Sequence, residues 1–236
     1  MKELFIFERN DRGLQFPAVV ALIAALAMLL VFAGCTPAKQ AGVDKSKPWA
    51  SVAFRIDKSV KYAPSIAVWV ADDSGNTTML FSTKKAADKS MIAQRPGMLP
   101  VRDGANKGAS LDAVSSATPS GSEAALELQI PESFKGKKLT FYIEANASYD
   151  FNGYYKEGLK SGDTGYSDVN GQPSVVWTAT ADTAAHPSGE VEAAVAGHGD
   201  VLGASGNIDA GMANVTTAAT LLSGIKITYG MDGSQP

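Results

Sequence analysis

From Ser51 onward the chain alternates apolar and polar residues with a period of two, in short runs broken by Gly, Pro, Asn and Asp. Ser51-Val52-Ala53-Phe54-Arg55-Ile56 places Val52, Phe54 and Ile56 on one side. A strand with one buried face requires this spacing, because successive side chains point to opposite faces. Ile66-Ala67-Val68-Trp69-Val70 follows, bounded by Pro64 and by Asp72-Asp73-Ser74-Gly75-Asn76. Thr77-Thr78-Met79-Leu80-Phe81 comes next, so two apolar runs flank a turn sequence and predict a β-hairpin. Further runs are Leu126–Ile130, Leu139–Glu144 after a Pro-Glu-Ser-Phe-Lys-Gly-Lys turn, Ser174–Ala179, Val191–Ala196 and Ile225–Tyr229. Lys84–Ala93 has room for a turn or two of helix, and Thr216–Ala219 for a short helix or turn. About eight short strands with regular turns predict an all-β fold, an immunoglobulin-like antiparallel β-sandwich with long loops.

The N-terminal part follows a different pattern. Phe16 to Gly34 is almost entirely apolar and ends in small residues before Cys35, with Lys2, Arg9, Arg12, Glu3, Glu8 and Asp11 ahead of it. That is the layout of a secretory signal peptide. Val31-Phe32-Ala33-Gly34-Cys35 resembles a bacterial lipobox, with Phe32 where Leu is usual. The resemblance implies lipidation of Cys35 and an extracytoplasmic, membrane-anchored lipoprotein, in the periplasm or at the cell surface. An uncleaved transmembrane anchor is the alternative, since the run is long enough to span a bilayer. The expected organisation is a signal peptide over 1–34, a flexible polar tether over 35–47 and a β-sandwich domain over 48–236.

Charge and cysteine content narrow the class further. Cys35 is the only cysteine, so the exported body has no disulfide framework and depends on its core. The three basic and three acidic residues before the apolar run cancel, which leaves the net charge of −3 to the body. Mild acidity without a Lys/Arg stripe argues against nucleic acid.

One stretch fits no strand: Leu111-Asp112-Ala113-Val114-Ser115-Ser116-Ala117-Thr118-Pro119. It is small and polar, and Pro119 and Gly121 disfavour its continuation as a regular element. Its order resembles the acceptor motif at which bacterial FAD:protein FMN transferases attach FMN to a threonine. Asp112, Ser115, Ala117 and Thr118 match that motif, and Ser116 stands where Gly is usual. The flanking order is also informative. It runs from Ala67-Val68-Trp69-Val70 through Arg95-Pro96 and Leu99-Pro100 to Phe141–Asn146, Tyr149–Asn152 and Asn170-Gly171-Gln172-Pro173-Ser174. This order resembles a bacterial family of periplasmic proteins of unknown function that occur with such transferases. The resemblance implies covalent FMN on Thr118 and a place in extracytosolic electron transfer, with the transferase as a partner. On the residues alone, the stretch reads equally as a turn in which Asp112 or Ser115 bonds nearby amides. The protein is then a non-catalytic surface module that binds a protein or glycan.

Other candidates carry less. Tyr149, Phe151, Tyr154 and Tyr155 form an aromatic group that either packs over the end of a sandwich or stacks on a ligand. His186 and His198, with Asp182 and Asp200, match no zinc spacing. Ala196-Gly197-His198-Gly199-Asp200 lacks the strand-to-helix setting of a phosphate loop. Asp72 and Asp73, in the hairpin turn, are expected to be solvated. No Ser/His/Asp set can be assembled, so an electron carrier or binding module is favoured over a stand-alone enzyme.

Overall fold

The structure is a computed structural model that describes residues 42–107, 115–116, 119 and 121–233. The segment read as a signal peptide, Cys35, Asp112, Ala117 and Thr118 lie outside the described residues, and Ser115 is described by its backbone only. The strands are β1 (Trp49–Ile56), β2 (Ser65–Asp72), β3 (Thr77–Thr83), β4 (Ser115–Ser116) and β5 (Glu123–Gln129). They continue with β6 (Lys138–Asn146), β7 (Val175–Asp182), β8 (Ser188–Glu192), β9 (Ala194–His198) and β10 (Leu222–Gly230). Short helices α1 (Lys84–Ala87), α2 (Lys89–Gln94) and α3 (Pro100–Ala105) lie between β3 and β4.

The strands form a four-stranded sheet, β5-β1-β10-β8, and a six-stranded sheet, β4-β3-β2-β6-β7-β9. All pairings are antiparallel except β3 with β4. The fold is therefore all-β, as the alternation predicts. Val52, Phe54 and Ile56 of β1 are buried while Arg55 points to solvent. They share one core with Leu126, Leu128, Phe141, Ile143, Trp177 and Ile227, which come from both sheets. The hairpin appears at its expected place, with β2 and β3 paired across Asp72–Asn76.

Two expectations are refined. The single run Val191–Ala196 is divided between the sheets. Val191 of β8 pairs with Ile227, whereas Val195 of β9 pairs with Trp177. Between them Ala193 N–H donates to Ile225 O, and the chain crosses from one sheet to the other there. The helical stretch is likewise interrupted. Asp88 accepts from the Ser90 and Met91 amides, so it ends α1 and caps α2.

The turn carboxylate Asp72 is buried rather than solvated, a correction to the sequence reading. Its side chain accepts from Ser74 N, Asn76 N, Asn76 Nδ2 and Lys137 Nζ. The bonds from Asn76 and Lys137 hold its carboxyl far below the usual carboxylate range. At the other end, the last residues of the segment read as a tether are bonded to β5. Asp44 N donates to Gln129 Oε1 at 3.0 Å, and Lys45 meets Glu127 at 3.2 Å.

The six-stranded sheet is covered on both faces. Ile66, Val68 and Val70 of β2 enter the core between the sheets. Ala67 and Trp69 enter a second, smaller core on the outer face, with Val176 and with Met98, Leu99 and Val101 from α3 and the turn before it. An unbroken apolar run such as Ile66–Val70 is what a strand buried on both faces needs.

Candidate functional site

The acceptor-like stretch meets the fold at β4. Ser115 pairs with Ser82 and Ser116 with Thr83, in parallel, at the outer edge of the six-stranded sheet. Pro119, three residues later, is buried. Ser82 and Thr83 are themselves fully buried. Thr83 Oγ1 accepts from Ile66 N at 3.1 Å, which fixes the end of β3 against the start of β2.

Several strand ends meet there. Ser65 at the start of β2 pairs with Asn146 at the end of β6, and Ala145 pairs with Val175 at the start of β7. The loops that leave these ends bring polar groups together. Arg95 follows α2 and is 8% exposed. Its Nε and Nη2 donate to Asn170 Oδ1 at 3.2 and 2.7 Å, and its Nη1 donates to Ser148 Oγ at 2.8 Å. Lys85 Nζ, from α1, donates to the same Ser148 Oγ at 3.4 Å. Burial pushes the Lys85 ammonium down, and the nearby Arg95 charge adds to the shift. Asn170 is oriented by its own bond from Nδ2 to Val201 O. Gly97 permits that approach, because a Cβ there would stand 2.0 Å from Val201 O and 2.8 Å from Asn170 Nδ2.

A second polar group lies under α3. Glu144 of β6 is fully buried on the outer face of the sheet. It accepts from Arg102 N at 2.7 Å, Val101 N at 3.3 Å and Ser174 Oγ at 2.6 Å. A strand carboxylate thus caps the N-terminus of a helix that lacks a side-chain cap of its own. Burial pushes the Glu144 carboxyl up to about 7, against the lowering effect of these bonds. Arg102 is 1% exposed and reaches Asp103 Oδ1, Ser82 Oγ and Ala86 O. It joins α3 to α1 and to the strand that carries β4.

The aromatic group divides between two clefts. Tyr149 and Phe151 meet edge to face at 6.2 Å and line a cleft of about 440 Å³ with Tyr166, Leu159, Asp168 and Val169. Tyr149 is 43% exposed and stands 5.3 Å from the ring of Tyr62, also exposed. Tyr155 is buried and lines a cleft of about 660 Å³ with His198, Asp200 and Asp209. His198 pairs with Val175 at one end of β7, whereas His186 is bonded to Asp182 at the other. The two histidines are thus separated by the length of a strand. Among the described residues no group of three His, Cys, Asp or Glu side chains is placed to hold a metal ion.

Sequence reasoning passed over Lys85, Ser148, Glu144 and Arg102, and used Arg95 and Asn170 only as landmarks. Glu144 looks solvent-facing in its own strand, because Leu139, Phe141 and Ile143 occupy the alternate positions. The contrary signal lies in other strands. Its pairing partners Ala67 and Val176 are apolar and buried, so that face of the sheet is covered. No protein-family model matches the chain, and neither a curated protein nor a solved structure matches it.

Proposed function

We propose that this protein is an extracytosolic lipoprotein, anchored through Cys35, that carries covalent FMN on Thr118 and acts in electron transfer. We take its two sheets to be an immunoglobulin-like sandwich that serves as the platform. The observation that carries the reading is the order Asp112-x-x-Ser115-Ser116-Ala117-Thr118, joined to the placement of Ser115–Ser116 on the rim of a sheet. An acceptor hydroxyl has to enter the active site of another protein, and the edge of a sheet is where such a stretch can be reached.

An isoalloxazine ring stacks on aromatic faces, and Tyr149, Phe151 and Tyr166 offer such faces in a cleft whose wall also carries Glu157, Lys160, Ser161 and Asp168. The flavin supplies the redox chemistry when bound, while the protein positions it. Thr118 takes part in one displacement. Its Oγ attacks the flavin-side phosphorus of FAD, the new O–P bond forms, and the bond to the departing AMP breaks. The hydroxyl proton passes to a base of the transferase, and no electrons are exchanged in this step.

The test is mass spectrometry of the chain produced together with an FAD:protein FMN transferase. The wild type gains the mass of FMN, and Thr118→Ala does not. Unmodified wild-type protein under those conditions sinks the proposal. The second reading, a surface module for a protein or glycan, is favoured by the exposed Tyr62 and Tyr149, since sugars stack on such rings. It predicts glycan binding that is lost in Tyr149→Ala whether or not Thr118 is modified.

A further inference from the structure

The cleft of about 660 Å³ lies where β9 ends, between Tyr155 and the segment 198–210. Glycines fix that segment against α3 and the turn before it. A Cβ at Gly199 would stand 2.6 Å from Pro100 Cγ, one at Gly203 2.3 Å from the Pro96 carbonyl carbon, and one at Gly206 2.8 Å from Gly104 Cα. His198 and Asp209 exchange both backbone hydrogen bonds at 2.8 Å, which ties the two ends of the segment together. The walls are therefore formed before a ligand arrives, and binding does not have to order a loop.

The polar groups of this cleft share one character. Asp200 Oδ1 accepts from Leu202 N and Asp209 Oδ1 accepts from Gly211 N, each at 2.8 Å. The second oxygen of each carboxylate receives no bond from the described residues, and neither carboxylate is in an ion pair among them. His198 Nδ1 lies 2.8 Å from Gly199 O. A carbonyl oxygen only accepts, so Nδ1 carries the proton and the neutral ring keeps Nε2 as an acceptor. Tyr155 is 9% exposed, yet its hydroxyl has no hydrogen-bond partner among the described residues. A buried phenol ordinarily finds one. Burial pushes the Tyr155 hydroxyl up, and Tyr154, Asp209 and Asp200 push it the same way, so both carboxylates stand close enough to act on it. No Lys or Arg lines the cleft, and its apolar wall is Val201, Leu202 and Ile208.

We propose that this cleft binds an organic ammonium ion, with Asp200 and Asp209 as counter-charges and the Tyr155 hydroxyl and His198 Nε2 as further acceptors. An alkylammonium carries one positive charge, three N–H donors and no acceptor, which complements a site built from acceptors. The carbon skeleton behind it is matched by Ile208 and by Leu202, which is 44% exposed. A metal ion fits less well, because its ligands must all stand within about 2.6 Å of one centre. Among the described residues no three His, Cys, Asp or Glu side chains are so placed. The site uses other residues than the flavin reading and does not depend on it.

The experiment is calorimetric titration of the full chain at neutral pH with benzylammonium chloride, and with benzyl alcohol and benzoate as its neutral and anionic counterparts. Wild type binds benzylammonium saturably, benzyl alcohol about tenfold more weakly, and benzoate not at all. Asp200→Asn and Asp209→Asn each weaken benzylammonium binding about tenfold, and Tyr155→Phe about threefold. Each Asn keeps an oxygen for the loop amide that its aspartate bonds, so the unfolding midpoint should hold. Absence of saturable binding to wild type overturns the proposal. Equal affinity for benzyl alcohol does so too, since it marks a purely apolar pocket, as does equal affinity in all three variants, which puts the ammonium elsewhere. Should an aspartate variant fail to fold, Tyr155→Phe gives the same decision, because that hydroxyl holds no other described residue.

Discussion

On its inner face the six-stranded sheet presents Ile66, Val68, Val70, Phe141, Ile143 and Trp177 to the four-stranded sheet. Its outer face presents Ala67, Trp69 and Val176 to a layer of short helices, with the Trp69 ring stacked on Tyr142 at 5.1 Å. Glu144 and Arg102 are buried in that layer as well. The inner face is held by apolar area, which needs no particular partner for any one residue. The outer layer cannot rely on area alone. Its helices are four to six residues long, below the length at which a helix persists unaided. They depend on polar partners, α2 on its own cap Asp88 and α3 on Glu144 from the sheet. The same dependence brings charged side chains, Glu144 and Arg102, inside.

The contrast can be broken by substitutions on each side. Phe141→Ala, in the inner core, is expected to cost about 4 kcal/mol. Denaturant unfolding measures the loss, and hydrogen exchange should show faster opening in both sheets together. Arg102→Ala is expected to cost about 3 kcal/mol, since it leaves Asp103, Ser82 and Ala86 O without their buried partner. Exchange should then quicken first in α1 and α3, while β1 and β10 keep their protection. Uniform loss of protection would show that the two layers unfold as one.

Glu144 sharpens the comparison through pH. Burial raises its carboxyl from 4.5 to about 7, so between those values the folded chain holds a proton that the unfolded chain has released. The stabilisation is fully present below about pH 4.5 and is lost as pH rises through about 7. Its size is at most between about 3 and 4 kcal/mol, at 1.36 kcal/mol per pH unit. Unfolding midpoints across that interval should fall in the wild type and flatten in Glu144→Gln. Asp72 has the opposite sign in another window. Its lowered carboxyl stabilises the fold above the ordinary carboxylate range and is lost only in more acidic solution. The smallest effect belongs to the solvent-exposed pairs of Lys226 with Glu190 and Glu192. Lys226→Ala should leave the unfolding midpoint unchanged, because such pairs are well screened by water and salt.

Strand positions are legible in the chain because a half-buried strand imposes a local rule. Val52, Phe54 and Ile56 face one way whatever lies above them, and the structure buries all three. The hairpin is legible for a similar reason, since its turn residues suit only a few backbone conformations. Val191–Ala196 shows the limit of that rule. Its alternation is continuous, yet β8 and β9 join different sheets, and nothing in a local pattern records a change of partner. The acceptor-like order of residues was visible, whereas its docking beside Ser82 and Thr83 was not. Neither was the cluster of Lys85, Arg95 and Ser148, whose members lie 10 and 53 residues apart in the chain.

The primary structure thus dictates the all-β character, most strand positions and the candidate acceptor, because each depends on neighbours within a few residues. Which face of β6 is covered, and hence that Glu144 is a buried cap rather than a solvated carboxylate, depends on which strands and helices pack together. So does the convergence of two cations on one hydroxyl. Burial and electrostatics act through space, and only the folded chain sets distances between residues remote in sequence.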